Sequence, residues 1–99
     1  MATFDYFKKM NARGYWLDIQ SELLDNLETR VVIPLEPIDG GLGLVPRLNP
    51  VFTISGKPHA LLTDLIGSIL VRDLSKRAGS LADRRYEVLN ALDFLVSGF

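Results

Sequence analysis

The sequence contains no cysteine. Disulfides, thiolate metal sites and cysteine nucleophiles are therefore excluded at the outset. Histidine occurs once, at His59, without a second imidazole or thiol to share a metal, so a structural or solvent role is expected for it and no metal or cofactor. An excess of one charge is missing as well. Eleven basic against 12 acidic side chains give a net charge of −1, spread without long runs, which offers no broad surface for a polyanion. No direct nucleic-acid binding is expected. Long apolar runs are absent too: "ALLTDLIGSILV" is cut by Asp64, well short of the ~20 residues that span a bilayer. The opening "MATFDYFKKM" has no apolar core of the signal-peptide kind. These absences lead to the expectation of a cytoplasmic protein, free of membranes, whose partners are other proteins.

What is present suits one compact domain. At 99 residues and 47% hydrophobic composition, the chain can bury roughly two-thirds of its unfolded surface in a single core, and residues 1–99 are read as one unit. "TFDYFKK" and "GYWLDIQ" alternate as strands do, with Tyr15, Leu17 and Ile19 on one face and Trp16, Asp18 and Gln20 on the other. "NARG" between them reads as a hairpin loop. "RVVIPLE" is a β-branched strand in which Pro34 removes a ladder donor, predicting an edge or a bulge there and an end near Pro37. "IDGGLGLVPRLNP" reads as a surface loop adaptable to a partner, "VFTI" and "PHALLT" as a hairpin around "SGK", and "SILVRDL" as a last strand. From Leu81 the spacing predicts a helix to about Ser97, with Ser80 as N-cap and Asp83 closing a capping box. Its core stripe is Leu81, Val88, Leu92 and Leu95, widened by Leu89, Ala91 and Val96. Asp83, Glu87, Asn90 and Ser97 form the polar arc, and Phe94, with Tyr86 near it, points into that arc as a ring in need of a second partner.

Catalytic chemistry finds little support. Ser21, Ser55 and Ser68 lack a nucleophile motif, and a triad would have to recruit His59 from far along the chain. "GGLG" is followed by Pro46 and Arg47 within a few residues, not by the lysine and hydroxyl that a phosphate loop needs. Asp18 with Glu22, and Asp64 with Asp73, match no acid/base spacing. Lys76, Arg77, Arg84 and Arg85 form the one basic cluster, read as a solvated helix start. Binding without turnover is the expectation, and the apolar ending "LDFLVSGF" is where it points.

The blocks "DIQSELLD", "RVVIPL" and "RLNPVFTI", followed by a closing "NALDFLVSGF", resemble the CcdB family of toxins from toxin–antitoxin modules, over essentially the whole chain. The resemblance implies a mostly β (α+β), SH3-like antiparallel sheet or barrel with a C-terminal helix, the fold shared by CcdB and MazF toxins, assembled as a two-fold homodimer. It implies a bacterial cytoplasmic toxin that is not an enzyme, binds the A subunit of DNA gyrase, traps the cleaved-DNA intermediate as a topoisomerase poison, and is released by a CcdA-type antitoxin. Plasmid maintenance and regulation of module transcription are the roles that accompany it. The family's gyrase-binding tip is Trp-Gly-Ile; here Ser97, Gly98 and Phe99 occupy it, so the glycine is kept, the last apolar residue is changed, and the stacking tryptophan is replaced by a serine. Tyr86 and Phe94 are the expected dimer-interface residues. Two alternatives follow: a homologue that binds antitoxin but does not poison gyrase, motivated by Ser97, and an endoribonuclease toxin of the MazF and Kid type, disfavoured by the acidic balance.

Overall fold

The computed structural model describes residues 2–40 and 43–98. They form seven strands and one long helix: β1 (Asp5–Lys8), β2 (Tyr15–Asp18), β3 (Thr29–Pro37), β4 (Val51–Ile54), β5 (Lys57–Leu61), β6 (Gly67–Leu70), β7 (Arg77–Ser80) and α1 (Arg85–Ser97). All strand pairs are antiparallel in a sheet of order β4-β5-β3-β2-β1-β7, and β6 also pairs with β3. The sheet curls around the core, which α1 helps to close. The mostly β, SH3-like arrangement with a C-terminal helix is as expected.

The long third strand organises the rest. One side of β3 is paired with β2 through Val32–Leu35, whereas the other side carries β6 along Thr29–Val32 and then β5 along Leu35–Pro37. Pro34 falls in the handover between those two partners, where its carbonyl accepts from the Leu62 amide at 2.9 Å and its missing N–H breaks no ladder bond. The proline therefore marks neither an edge nor a bulge: β3 is central, and the gap lies in its partner. The β4–β5 hairpin turns through Ser55 (φ 52°) and Gly56 (φ 77°), the two positive φ values of a type I′ turn.

Leu17, Ile33, Leu35, Phe52, Ile54 and Leu61 from the sheet meet Leu81, Val88 and Ala91 in one buried cluster, with Tyr15, Ile19 and Leu92 packed at its margin. Each fully buried large aliphatic or aromatic side chain contributes about 1.5–3 kcal/mol relative to exposure, so this cluster holds the sheet curl and the helix together. The other face of β2 is not left to solvent. Asp18 is buried there in an ion pair with Arg30, and Trp16 is covered by Lys9, whose ammonium sits 4.3 Å from the ring centroid and pairs with Glu36.

Three elements differ from the sequence reading. The strand expected over "SILVRDL" is neither that long nor the last: β6 ends at Leu70, where Val71–Asp73 turn into a 3-10 helix. Residues Arg77–Ser80 form an unforeseen strand beside β1, with a register shift between Tyr6 and Phe7. Gly79 makes room there for Tyr6, since a Cβ would collide with the Tyr6 hydroxyl oxygen and its Cζ. The helix also starts later than expected. The Ser80 hydroxyl accepts from the Ala82 amide at 3.1 Å, but the expected N-cap role falls to Leu81 for a 3-10 turn over Ala82–Arg84 and to Arg84 for α1, which begins only at Arg85, both without a side-chain cap or the capping box.

Candidate functional site

The helix end is built from residues that need no neighbour. Gly98 adopts the left-handed conformation (φ 76°, ψ 18°) and its amide donates to the Phe94 carbonyl at 2.9 Å, which terminates α1 in the manner typical of glycine. The Ser97 hydroxyl donates back to the Asp93 carbonyl at 2.7 Å, so it is occupied with its own helix. Both residues are exposed, and nothing lies within 4 Å of where a Cβ on Gly98 would stand. Phe99, the third expected tip residue, lies outside the described residues.

The helix's outer surface is more apolar than its periodicity suggested. Val88 and Ala91 are fully buried, and Leu92 is half-buried, but Leu89 and Leu95 are about two-fifths exposed (41% and 38%) and Val96 is 84% exposed. The expected core stripe is therefore narrower: Leu89, Leu95 and Val96 belong to an accessible flank, because the curled sheet reaches only one side of the helix.

Tyr86 and Phe94, expected together at an interface, stand in different surroundings. Tyr86 is 69% exposed, with the Arg85 guanidinium over its ring at 5.2 Å. Phe94 is half-buried, and the Arg47 guanidinium from the loop before β4 lies over its ring at 4.6 Å. That loop and the polar side of α1 enclose a cleft of about 420 Å³ lined by Pro46, Arg47, Pro50, Glu87, Asn90 and Asp93. The polar arc is thus partly roofed by the chain itself. Arg84 joins Glu87 in two hydrogen bonds of 2.5 and 2.6 Å, and this contact holds the Glu87 carboxyl below the usual range.

The expected basic cluster is dispersed. Arg77 pairs with Asp5 at 3.0 Å, Arg84 lies over the Phe52 ring, and Arg85 donates to the Ala82 carbonyl at 2.8 Å. The candidate carboxylate pairs are separate structural groups: Asp18 binds Arg30, and Asp64 accepts from the Asn49 amide at 3.1 Å. Ser21 caps the Leu23 amide at 3.2 Å. Among the described residues no group of three or more His, Cys, Asp or Glu side chains could hold a metal ion. None of their helices is long and apolar enough to cross a membrane.

Sequence reasoning passed over a second apolar surface. Glu22–Leu24 forms a 3-10 turn whose leucines face outward, Leu23 at 93% and Leu24 at 52% exposure, followed by Leu27 at 50%. Beside it lies a groove of about 610 Å³ with Leu27, Leu70 and Val71 in its wall and Asp25, Glu28 and Arg72 at its rim. Arg30 anchors this segment from beneath, donating to Asp25 at 2.7 Å and to the buried Asp18 at 2.6 and 3.0 Å. Adjacent leucines directly after a capping serine, too few for a helix stripe, were the available signal.

Comparison with known proteins gives two findings. The family model described as "CcdB protein" matches residues 3–98. Among solved structures, the Mycobacterium tuberculosis toxin MazF-mt6 is similar in fold, with a TM-score of 0.70 at 18% identity over 90% of this chain and 91% of that one. No curated protein matches.

Proposed function

The chain belongs to the CcdB family, and from that premise we propose that it is the toxin of a toxin–antitoxin system that acts by binding the A subunit of DNA gyrase through its C-terminal tip. The observation that carries the proposal is the helix end itself. Ser97 and Gly98 are exposed and follow an accessible apolar flank, so a partner can engage the last turn without disturbing the core. The toxin traps the cleavage complex by occupancy, as a wedge, and turns over no substrate. A CcdA-type antitoxin segment that folds on binding neutralises it. A homodimer presents two tips to a two-fold target, with Tyr86 and Phe94 at or near the seam.

The experiment is direct binding to the dimerisation region of the gyrase A protein, together with cleaved-DNA accumulation, for the wild type and Ser97→Trp. An indole at this position restores an aromatic face for a guanidinium, contributing ~1.4 kcal/mol per contact and so about tenfold in affinity. Neither protein binding would end the gyrase reading. Ser97 also favours a second reading, a homologue that captures antitoxin without poisoning gyrase. Antitoxin binding by the wild type with gyrase binding only by Ser97→Trp would select it.

A further inference from the structure

At the margin of the core, on the same face of the β4–β5 hairpin as Phe52 and Ile54, a cavity of about 370 Å³ opens between the β1–β2 loop and the Ser55–Gly56 turn. Lys8, Arg13, Lys57 and His59 line it, with Tyr15 and Ser55 between them. The charge is one-sided. Arg13 is held by Asp39 at 2.5 and 3.1 Å, and nearby Glu36 is taken by Lys9, but Lys8 and Lys57 have no ion-pair partner among the described residues. Two cations without an ion-pair partner thus line one cavity whose lining holds no carboxylate; Asp39, within electrostatic reach of Lys57, is already taken by Arg13.

His59 makes this more than two surface lysines. The residue is only 5% exposed, and its Nδ1 lies 2.9 Å from the Lys57 carbonyl oxygen. A carbonyl can only accept, so Nδ1 carries the hydrogen and Nε2 is the nitrogen left over. Nε2 has no hydrogen-bond partner among the described residues, yet it is not among their sealed, unpartnered atoms, of which Thr63 Oγ1 is the one found. It therefore retains access to solvent from a nearly buried ring, whose orientation is fixed by the Nδ1 bond and by Tyr15, 5.3 Å away between centroids. The Nδ1 bond thereby holds Nε2 in a fixed direction.

We propose that this cavity is a binding site for a phosphate group, held by Lys8 and Lys57 as charges, by the Ser55 hydroxyl and by His59 Nε2 as an oriented polar partner. Phosphate fits better than a carboxylate because its three or more acceptor oxygens match donors arriving from separate elements, whereas a planar carboxylate suits a single fork such as the Arg13 guanidinium, which Asp39 already fills. The net charge of −1 excludes a broad polyanion surface but not one local site. This inference does not depend on the gyrase reading. The phosphate can come from a free phosphate compound or from a nucleic-acid backbone, and the test separates the two.

Inorganic phosphate and, separately, a short oligothymidylate are titrated into the whole chain while its amide and imidazole resonances are followed. Saturable shifts confined to Gly14, Ser55, Gly56, Lys57 and the His59 ring are expected. Lys8→Ala and Lys57→Ala should each weaken binding about fivefold, the weight of one charge pair at close range in water, and Lys76→Ala, on the exposed β6–β7 connection, should leave it unchanged. Tighter binding of the oligonucleotide identifies a backbone phosphate; equal or weaker binding identifies a free phosphate compound. The proposal is overturned if neither probe gives saturable shifts, if Lys76→Ala weakens binding as much as Lys57→Ala, or if an oligoglutamate peptide shifts the same amides more strongly than either phosphate probe.

Discussion

Replacing Arg30 with methionine tests the polar side of the fold where the forces are largest. The guanidinium is fully buried and divides its donors between Asp18, at 2.6 and 3.0 Å, and Asp25, at 2.7 Å. The two carboxylates are not equivalent. The Asp18 side chain has no solvent exposure, and without Arg30 it keeps only the Gln20 amide at 2.9 Å, so Arg30→Met strands a buried charge. Such a loss costs about 3–5 kcal/mol. Asp25 is about half exposed (49%), water replaces its partner, and Asp25→Ala should cost under about 1 kcal/mol.

The removal of both buried charges separates a pair effect from simple loss of packing. Arg30→Met with Asp18→Leu leaves no ion in the interior and should recover much of the single variant's loss, although the Gln20 amide then lacks its acceptor. Urea unfolding followed through Trp16, the one tryptophan, gives the three free energies, with an unchanged slope confirming comparable exposed surface. For a domain of this size the Arg30→Met loss corresponds to a fall in Tm of at least about 12 °C. A loss below 1 kcal/mol, or a double variant no more stable than Arg30→Met alone, would refute the reasoning.

Other expectations are narrower. Tyr86→Asp should shift sedimentation toward an 11.0 kDa monomer by placing like charges across a two-fold seam, and it is a cleaner probe than Phe94→Asp, whose carboxylate would simply pair with Arg47. Gly14→Ala combines φ +88° with a Cβ colliding with the Leu35 carbonyl oxygen, so its denaturation midpoint should fall well below that of Gly40→Ala, where φ is +75° but nothing lies within 4 Å. Burial first, and then the Tyr15 phenol, raise the Tyr6 pKa above its ordinary 10.0, against an opposing pull from Arg77. The stability this contributes is fully present below pH 10.0 and is lost as pH rises through the folded-state value; thermal melts above pH 10 should show a shallower decline for Tyr6→Phe than for wild type.

Much of the fold was legible because its signals were local. Tyr15, Leu17 and Ile19 alternate onto the core, the Ser55–Gly56 turn announces a hairpin, and Val88 with Ala91 anchors the helix where periodicity placed it. What escaped depends on tertiary pairing. "RAGS" has no strand propensity to speak of; it becomes β7 because β1 supplies the ladder and the absent Cβ of Gly79 makes room for Tyr6. Pro34 misled for a related reason: the sequence shows a missing donor, but only the topology shows that β6 ends and β5 begins at that point. Asp18 looked like an outward charge on a half-exposed strand until Arg30, 12 residues later, met it in the interior.

The same distinction governs the candidate site. Helical periodicity assigns Leu95 and Val96 to the core as readily as Val88, since it records direction around an axis but not how far the sheet extends along it. In the folded chain the core closes around Val88 and Ala91, while one turn later Leu95 is partly open and Val96 almost wholly so. The apolar residues of the last turn therefore contribute little to holding the domain together, and their hydrophobic free energy is still available for a partner. Gly98 then ends the helix through its own amide bond to the Phe94 carbonyl, and it is exposed. On the proposed role of the tip, substitutions at Val96 and Ser97 should therefore change partner affinity while moving the urea midpoint little, because both side chains lie outside the core that Val88 and Ala91 close; a large fall in that midpoint for either would refute the separation.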